Sequence, residues 1–193
     1  MELMDKSIGY CFTGSFCTLK ESIDTLTEIV QEGARVTPIF SYAVSSFDTR
    51  FFKAEDFRKR VKDICGTEPI DTIPQAEPIG PKNLLDLLII APCTGNTASK
   101  LANGITDTPV LMAAKAHLRN SKPVLLAVAS NDALSGSAGA IARLINTKNI
   151  YFTPMYQDSP QGKPTSMVAD FTMISVAAQA ALEKKQLRPV YLV

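Results

Sequence analysis

The feature that most constrains the fold is a short apolar run that leads into small polar residues and then into a helix pattern. Residues 87–91 read Leu-Leu-Ile-Ile-Ala and end at Pro92, which is typical of a strand buried on both faces of a parallel sheet. Thr94 to Thr97 follow, and apolar residues at helical spacing continue to Ile105. In an open α/β sheet, ligands bind at loops that connect the carboxyl end of a strand to the start of a helix in this way. An ordinary turn with helix-capping residues is the alternative interpretation.

Similar units precede and follow this segment. Ser7 to Thr13 reads as a strand, an amphipathic helix follows from Lys20, and Val36 to Phe40 reads as the next strand. Such a βαβ unit has a right-handed crossover and parallel strands. Further strands are predicted at 124–128 and 149–152. The expected fold class is therefore a doubly wound α/β domain with a mostly parallel sheet, arranged as three α/β/α layers.

The length of the chain predicts one domain over residues 1–193, since a chain of this size can bury its own core. Residues 157–165 contain Gly162, Pro160 and Pro164 and are predicted to be flexible. Residues 167–193 are predicted to form an amphipathic helix and an apolar tail.

Composition excludes several classes of protein. A net charge of +1 offers no bulk attraction to nucleic acid or to an anionic membrane. The apolar runs are shorter than the ~18 residues of a membrane-spanning helix, and no signal-peptide pattern opens the sequence, so we expect a cytosolic protein. The cysteines, Cys11, Cys17, Cys65 and Cys93, form no Cys-x-x-Cys pair and the only histidine is His117. This pattern argues against a metal site and favours a reducing compartment.

Small polar residues after the predicted strands are the candidate ligand-binding groups. The Gly14-Ser15 turn can hold a phosphate through backbone N–H groups and a hydroxyl, or it can be a tight turn with a serine cap. Ser41 follows the second strand, and Ser130 and Asn131 follow a later one. Cys93 and Cys17 are expected in loops near such a ligand, whereas His117 is expected on the surface near the end of its helix.

Three segments together resemble the flavoprotein family that includes the homo-oligomeric flavin-containing cysteine decarboxylases and the flavin prenyltransferases. Residues 8–16 resemble its first strand and Gly-Ser turn, and residues 123–134 with 150–156 resemble the late strands of the prenyltransferases. Most specific are Ala-Pro-Cys-Thr-Gly-Asn-Thr at 91–97 and the segment 100–107, which are similar to the family's Pro-Ala-Ser-Ala-Asn-Thr signature and its Ala-Asn-Gly-Ile-x-Asp. The resemblance implies a homo-oligomer that binds FMN.

Carried onto this sequence, the resemblance implies two sets of site residues. The cofactor would be bound by Gly14, Ser15, Phe16, Ser41, Pro92, Cys93, Thr94, Asn96 and Thr97. The substrate would be bound by Asn96, Lys100, Ser130 and Asn131. The resemblance assigns no catalytic residue.

Two departures from the family pattern bear on the reaction. By spacing, Pro78-Ile79 stand where the decarboxylases have a His-Ile pair, so the general base is missing. Ser130-Asn131 stand where the prenyltransferases have an Arg-Glu pair. The sequence thus lacks a key residue of each of the two known reactions of the fold.

The Cys-Thr-Gly variant at 93–95, the loop 129–134 and the tail 188–193 resemble one branch of the family, an oxidoreductase of endospore-forming bacteria built from two kinds of subunit. That resemblance implies a Rossmann-type partner subunit that carries NAD or NADP, a small dicarboxylate substrate and the cytoplasm of the mother cell. The alternatives are a non-catalytic accessory subunit of that enzyme and an autonomous FMN-dependent decarboxylase.

Overall fold

A computed structural model describes residues 3–192. Within them, seven strands form one sheet in the order β2-β1-β3-β4-β7-β6, and β5 also pairs with β4. The strands are β1 (Ser7–Phe12), β2 (Arg35–Phe40), β3 (Leu87–Cys93), β4 (Val124–Ser130), β5 (Ile150–Phe152), β6 (Met155–Tyr156) and β7 (Met167–Ala169). The first five strands pair with one another in parallel, whereas β7 is antiparallel to both β4 and β6. The predicted doubly wound, mostly parallel sheet is confirmed.

Helices cover both faces of the sheet. They are α1 (Leu19–Gln31), α2 (Tyr42–Ser46), α3 (Ala54–Cys65), α4 (Ile73–Ala76), α5 (Gly95–Ala102), α6 (Pro109–Leu118), α7 (Ala138–Ile145) and α8 (Ile174–Leu182). The apolar sides of α1, α3 and α8 pack in the core on one face, and those of α4, α5, α6 and α7 pack in the core on the other. This is the expected three-layer α/β/α arrangement.

The two cores are divided by the alternation of side chains along the central strands. In β3, Leu87, Ile89 and Ala91 face the first core and Leu88 and Ile90 face the second. Both faces are therefore apolar, which explains the continuous hydrophobic run in the sequence. The register between β3 and β4 shifts between Ile90 and Cys93, and Cys93 consequently faces the second core.

The C-terminal part differs from the sequence prediction. Met167 begins the strand β7 rather than a helix, and the helix starts only at Ile174. The side chain of Asp170 accepts a hydrogen bond from the Thr172 N–H at 3.0 Å, so a 3-10 turn intervenes between strand and helix. Turns occupy residues 131–137, and α7 starts after them at Ala138. Residues 157–166 carry no helix or strand, and Val193, part of the predicted tail, lies outside the described residues.

Tail residues add one more parallel contact at the edge of the sheet. The Met155 N–H donates to the Val190 carbonyl at 2.9 Å, and the Leu192 N–H donates to the Met155 carbonyl at 2.8 Å. The apolar tail therefore docks on β6 up to Leu192. Over residues 3–192, none of the helices is long and apolar enough to cross a membrane.

Candidate functional site

Two neighbouring cavities open where the carboxyl ends of β1, β3 and β4 meet. The smaller cavity has a volume of about 280 Å³ and the larger cavity about 560 Å³. Gly14, Thr94 and Asn96 belong to the walls of both. Small-molecule sites commonly have volumes of about 300–1,000 Å³. The two cavities together therefore suit a ligand that has a small group at one end and a larger group at the other.

Hydroxyl groups and backbone dominate the smaller cavity. Its walls are formed by Thr13, Gly14, Ser41, Tyr42, Ala43, Thr94, Asn96, Thr97, Thr108 and Leu111. The Thr13 hydroxyl donates to the Pro92 carbonyl at 2.7 Å and accepts from the Thr94 N–H at 3.1 Å. This single side chain therefore holds the end of β1 against the loop after β3.

Thr94, not Asn96, caps helix α5. The Thr94 hydroxyl accepts a hydrogen bond from the Thr97 N–H at 3.2 Å, which makes Thr94 the N-cap residue. Asn96 follows two residues later with an exposed side chain and lines both cavities. Its amide is therefore available to a ligand.

Ser41 carries an unusual side chain in the smaller cavity. The residue is 8% exposed, and its hydroxyl has no hydrogen-bond partner within residues 3–192. Its backbone N–H donates to the Phe12 carbonyl at 3.0 Å, which fixes the residue between β1 and α2. A buried hydroxyl without a partner is uncommon in a folded protein, and a bound ligand with an acceptor oxygen would satisfy it.

The larger cavity combines groups from distant parts of the chain. Ser15, Phe16 and Cys17 come from the turn after β1, and Ser130, Asn131 and Asp132 come from the end of β4. Arg50 and Phe51 come from the loop before α3. Asp158, Lys163 and Ser166 come from the irregular segment before β7.

Asp132 is the centre of a small polar cluster in this cavity. Its carboxylate accepts hydrogen bonds from the Ser130 hydroxyl and, at 2.9 Å, from the Ser137 hydroxyl. A Cβ atom added to Gly95 would lie 2.5 Å from the Asp132 carboxylate and 2.6 Å from the Ser130 hydroxyl oxygen. Gly95 is thus the residue that lets helix α5 begin so close to this cluster.

The structure brings most of the predicted site residues together. Gly14, Ser15, Phe16, Ser41, Thr94, Asn96, Thr97, Ser130 and Asn131 line one or both cavities. Pro92, Cys93 and Lys100 lie outside both sets of walls. Pro92 is buried and only its carbonyl, held by Thr13, approaches the site.

The placement of Cys93 and Lys100 does not support the roles predicted for them. Cys93 is fully buried in the core, and burial raises the pKa of its thiol to about 12, so it is neither a loop residue nor a nucleophile. The Lys100 ammonium contacts the Asp107 carboxylate at 2.6 Å, so its charge is neutralised away from the cavities.

Several wall residues were not found by sequence reasoning. They are Arg50, Phe51, Asp132, Lys163 and Ser166. Of these, only Asp132 could have been predicted from the sequence as a site residue, because it follows Ser130 and Asn131 in the same strand-end loop. Tertiary folding alone brings the others to this edge of the sheet.

The one histidine of the chain is remote from the cavities. His117 is 1% exposed, contrary to the expected surface position, and its Nε2 donates to the Pro123 carbonyl at 3.0 Å. Burial lowers the pKa of His117 to about 4, so the imidazole is neutral at physiological pH. Pro78-Ile79 lie in a 3-10 turn that lines neither cavity. No histidine base is therefore available to a ligand here.

Over residues 3–192, the structure contains no group of three or more His, Cys, Asp or Glu side chains that could hold a metal ion.

Comparison with known proteins decides the family. The family model described as "Flavoprotein" matches residues 1–180. This chain belongs to the flavoprotein family.

Two relatives are similar to this flavoprotein over almost the whole chain. The B subunit of dipicolinate synthase from Bacillus subtilis (strain 168) is 47% identical over 188 residues, which is 97% of this chain and 94% of the relative. The crystal structure of the B subunit of dipicolinate synthase from Bacillus halodurans is 44% identical, with a TM-score of 0.92, and the match covers 100% of this chain and 99% of that one.

A more distant structure shares the fold alone. It is described as a dodecameric FMN-dependent UbiX-like decarboxylase from Escherichia coli O157:H7, with 18% identity, a TM-score of 0.62 and coverage of 77% of this chain and 79% of that chain. The doubly wound sheet is thus shared with this decarboxylase, and a shared fold does not imply a shared function.

Proposed function

We propose that this flavoprotein is the B subunit of a dipicolinate synthase. It would act with a Rossmann-type A subunit to oxidise dihydrodipicolinate to dipicolinate, pyridine-2,6-dicarboxylate. The observation that carries the proposal is the 47% identity to the Bacillus subtilis relative across 97% of this chain. The proposed place of action is the mother-cell cytoplasm of a sporulating bacterium.

The smaller cavity fits the phosphate of FMN. Its described walls contain hydroxyls, an amide and backbone but no carboxylate, and the buried Ser41 hydroxyl there has no partner among residues 3–192. A phosphate is rich in acceptor oxygens and would satisfy that donor. Gly14 and Ser41 in the smaller cavity would hold the phosphate together with Ser15, which follows Gly14 and lines the adjoining larger cavity, while Thr94, Asn96 and Thr97 would face the ring system or the substrate.

The reaction removes one hydride equivalent and one proton from the dihydropyridine ring. NAD or NADP on the A subunit is the proposed final hydride acceptor, and FMN, when bound, would supply a two-electron redox centre. The residues of this chain would hold the substrate in the larger cavity through Ser130, Asn131 and Asn96 and so orient its ring for the reaction.

A second candidate is an accessory subunit that positions the A subunit without taking part in turnover. It is favoured by the observation that both family chemistries lose a key residue here, at Pro78 and at Ser130-Asn131. The third alternative, an autonomous decarboxylase, is less well supported because the single histidine is buried against Pro123.

The proposal also includes a homo-oligomer, as the family resemblance implies. Sedimentation at working concentrations is expected to show a species larger than the 20.9 kDa monomer. A monomer at every concentration would contradict this part of the proposal and leave the cofactor site unaffected.

The first test measures flavin content and oxidation of dihydrodipicolinate, with the protein purified alone and together with the A subunit. FMN titration followed by fluorescence quenching is expected to show binding, and Ser15→Asp is expected to abolish it, because a carboxylate beside the phosphate repels it. Ser121→Asp is the matched control, since Ser121 is exposed at the opposite end of the sheet and Asp tolerates its positive φ of 56°.

The outcomes separate the candidates. Flavin-loaded protein that is required for turnover by the A subunit supports the synthase function. Flavin-free protein that binds the A subunit and does not change its turnover supports the accessory function. If Ser15→Asp binds FMN as tightly as the parent, the assignment of the phosphate site is wrong.

A further inference from the structure

Four charged side chains line the larger cavity, and they are not equivalent. Arg50, Lys163, Asp132 and Asp158 belong to its walls. The Lys163 ammonium lies 2.8 Å from the Asp158 carboxylate, and this contact lowers the pKa of Asp158. These two residues therefore form a neutral pair, and the field of the cavity is set by the other two.

Arg50 is the cation of this cavity that has no acidic partner among residues 3–192. Its guanidinium lies over the ring of Phe51, 4.8 Å from the ring centre, a cation–π contact that orients the planar group without neutralising it. Phe51 lines the same cavity and is half exposed. Arg50 is exposed and lines the cavity, so its guanidinium N–H groups can donate to a ligand there.

The loop that carries Arg50 is held by its own hydrogen bonds. The Thr49 hydroxyl accepts from the Phe51 N–H at 3.2 Å, and the Thr49 N–H donates to the Phe52 carbonyl at 2.9 Å. The Asp48 carboxylate accepts from the Ala54 N–H at 3.0 Å, which ties the loop to the start of α3. The backbone on either side of Arg50 is therefore held by the fold.

A second donor in the same walls also has no partner. Ser166 is 1% exposed; its hydroxyl is near enough to Asp158 to help lower the pKa of that carboxyl, yet it meets no partner at hydrogen-bond geometry within the described residues. It precedes β7, whose Met167 pairs with Ser130 at the end of β4. The buried Ser166 hydroxyl and the exposed Arg50 guanidinium are thus two hydrogen-bond donors in the walls of one cavity, and together they suit an anionic ligand with several acceptor oxygens.

We infer that Arg50 binds a carboxylate of the substrate in the larger cavity and determines the specificity of this cavity for a dianionic ring. Ser166 is an additional hydrogen-bond donor to the substrate. This inference rests on the proposed function, since it places the dicarboxylate of that reaction in this cavity. It replaces the role predicted from the sequence for Lys100, whose charge is taken by Asp107.

Charge balance explains why Arg50 matters more than its neighbours. With Arg50 present, the four charged side chains in the cavity walls have a net charge of zero. Without Arg50, the Asp132 carboxylate gives the cavity walls a net negative charge. A planar guanidinium also matches a carboxylate through two parallel N–H donors, which an ammonium cannot do. A dianion is therefore expected to depend on Arg50 for both charge and orientation.

The test is the equilibrium binding of dipicolinate to the FMN-saturated protein, measured by calorimetry. Arg50→Gln is expected to weaken dipicolinate binding about ten- to a hundredfold, the loss that a hydrogen bond to a charged group typically causes. Arg50→Lys is expected to recover only part of the loss, because it restores the charge without the fork. The affinity for FMN is expected to stay unchanged in both variants.

Arg119→Gln is the matched control. Arg119 is exposed, follows α6 at the other end of the sheet and has no ion-pair partner among residues 3–192. The Arg119→Gln substitution removes the same charge but lies outside the cavity, so dipicolinate should bind this variant as tightly as it binds the parent.

Each other outcome overturns the inference in a recognisable way. If the parent binds dipicolinate and Arg50→Gln binds it equally well, Arg50 is not the anchor, and the proposed function stands. If Arg50→Gln loses FMN instead, Arg50 belongs to the cofactor site. If the FMN-saturated parent binds no dipicolinate, the assignment of substrate to this chain fails together with the inference.

Discussion

The two ends of the parallel sheet differ in whether all of their buried polar groups are paired. At the amino end, the Asp86 carboxylate accepts from the Ser7 N–H at 2.9 Å, His117 donates to the Pro123 carbonyl at 3.0 Å, and the Asn120 amide donates to the Gly80 carbonyl at 2.7 Å. At the carboxyl end lie the three buried hydroxyls that have no partner within residues 3–192, those of Ser41, Thr153 and Ser166.

This difference separates stabilising residues from candidate binding residues. A buried polar group that is paired within the protein stabilises the fold, and its loss costs stability. A buried polar group that is left unpaired costs the protein free energy until a ligand satisfies it. Changes at the amino end are therefore expected to alter stability, whereas changes to the unpaired hydroxyls that line a cavity at the carboxyl end are expected to alter binding.

The largest expected effect is the pH dependence of stability that His117 causes. Burial lowers the pKa of this residue to about 4 from its ordinary value of 6.5, so the unfolded chain binds more protons than the folded one between these values. Stability is therefore expected to fall as the pH falls, by about 2 kcal/mol between about pH 7.5 and about pH 5 from His117 alone. Urea unfolding at the two pH values measures the effect.

His117→Gln sharpens this prediction, because an amide can still donate to the Pro123 carbonyl but does not titrate in this range. The variant is expected to lack the pH dependence of this window and to bind FMN like the parent at about pH 7.5. An unchanged pH dependence in the variant would show that other groups cause it. A loss of FMN affinity would contradict the separation of the two ends.

Ser41→Ala tests the carboxyl end directly. Since the hydroxyl has no partner among residues 3–192, its removal is expected to leave the free energy of unfolding unchanged or slightly higher. The affinity for FMN is expected to fall about tenfold or more, the value of a hydrogen bond to a charged group. Fluorescence titration and urea unfolding measure the two effects separately.

Thr153→Val is the matched control for Ser41→Ala. Thr153 is also fully buried, with a hydroxyl that has no partner in the described part of the chain, but it lines neither cavity. It is expected to leave FMN affinity unchanged. If both variants lose FMN equally, the effect comes from the sheet edge in general and not from a contact of Ser41.

The smallest expected effect is that of Asn96→Ser. Thr94 already caps α5, so the exposed Asn96 side chain is expected to contribute less than about 0.5 kcal/mol to stability. Binding of FMN or dipicolinate is expected to weaken about tenfold, because serine is too short to replace the amide contact. Full activity of a stably folded Asn96→Ser complex with the A subunit would exclude a ligand role for this residue.

Local sequence patterns predicted the strand-end half of the site. Gly14-Ser15, Ser41 and Thr94 to Thr97 follow strands whose apolar runs are continuous, and parallel strands bring their carboxyl ends to one edge. Alternation and run length therefore suffice to predict that these residues lie close together, and the structure places them in the walls of the two cavities.

Local patterns misplaced residues whose partners are distant in the chain. Cys93 reads as a loop residue because Pro92 precedes it, yet the register shift between β3 and β4 turns its side chain into the core. Lys100 reads as a free cation until Asp107 is brought beside it. In the same way, β7 reads as part of a helix, because only its pairing with β4 and β6 makes it a strand.

The doubly wound sheet and the hydroxyl-rich strand ends could be predicted from the sequence, because both depend on residues adjacent in the chain and on periodicity, and short motifs such as residues 91–97 indicated the family. Only the tertiary structure decided which charges face the larger cavity. Arg50, Lys163 and Ser166 reach it from loops far apart in sequence, and whether a charge is free or paired depends on contacts such as Lys163–Asp158 and Arg50–Phe51. Such contacts depend on the packing of the whole chain, so the periodicity of the sequence does not predict them.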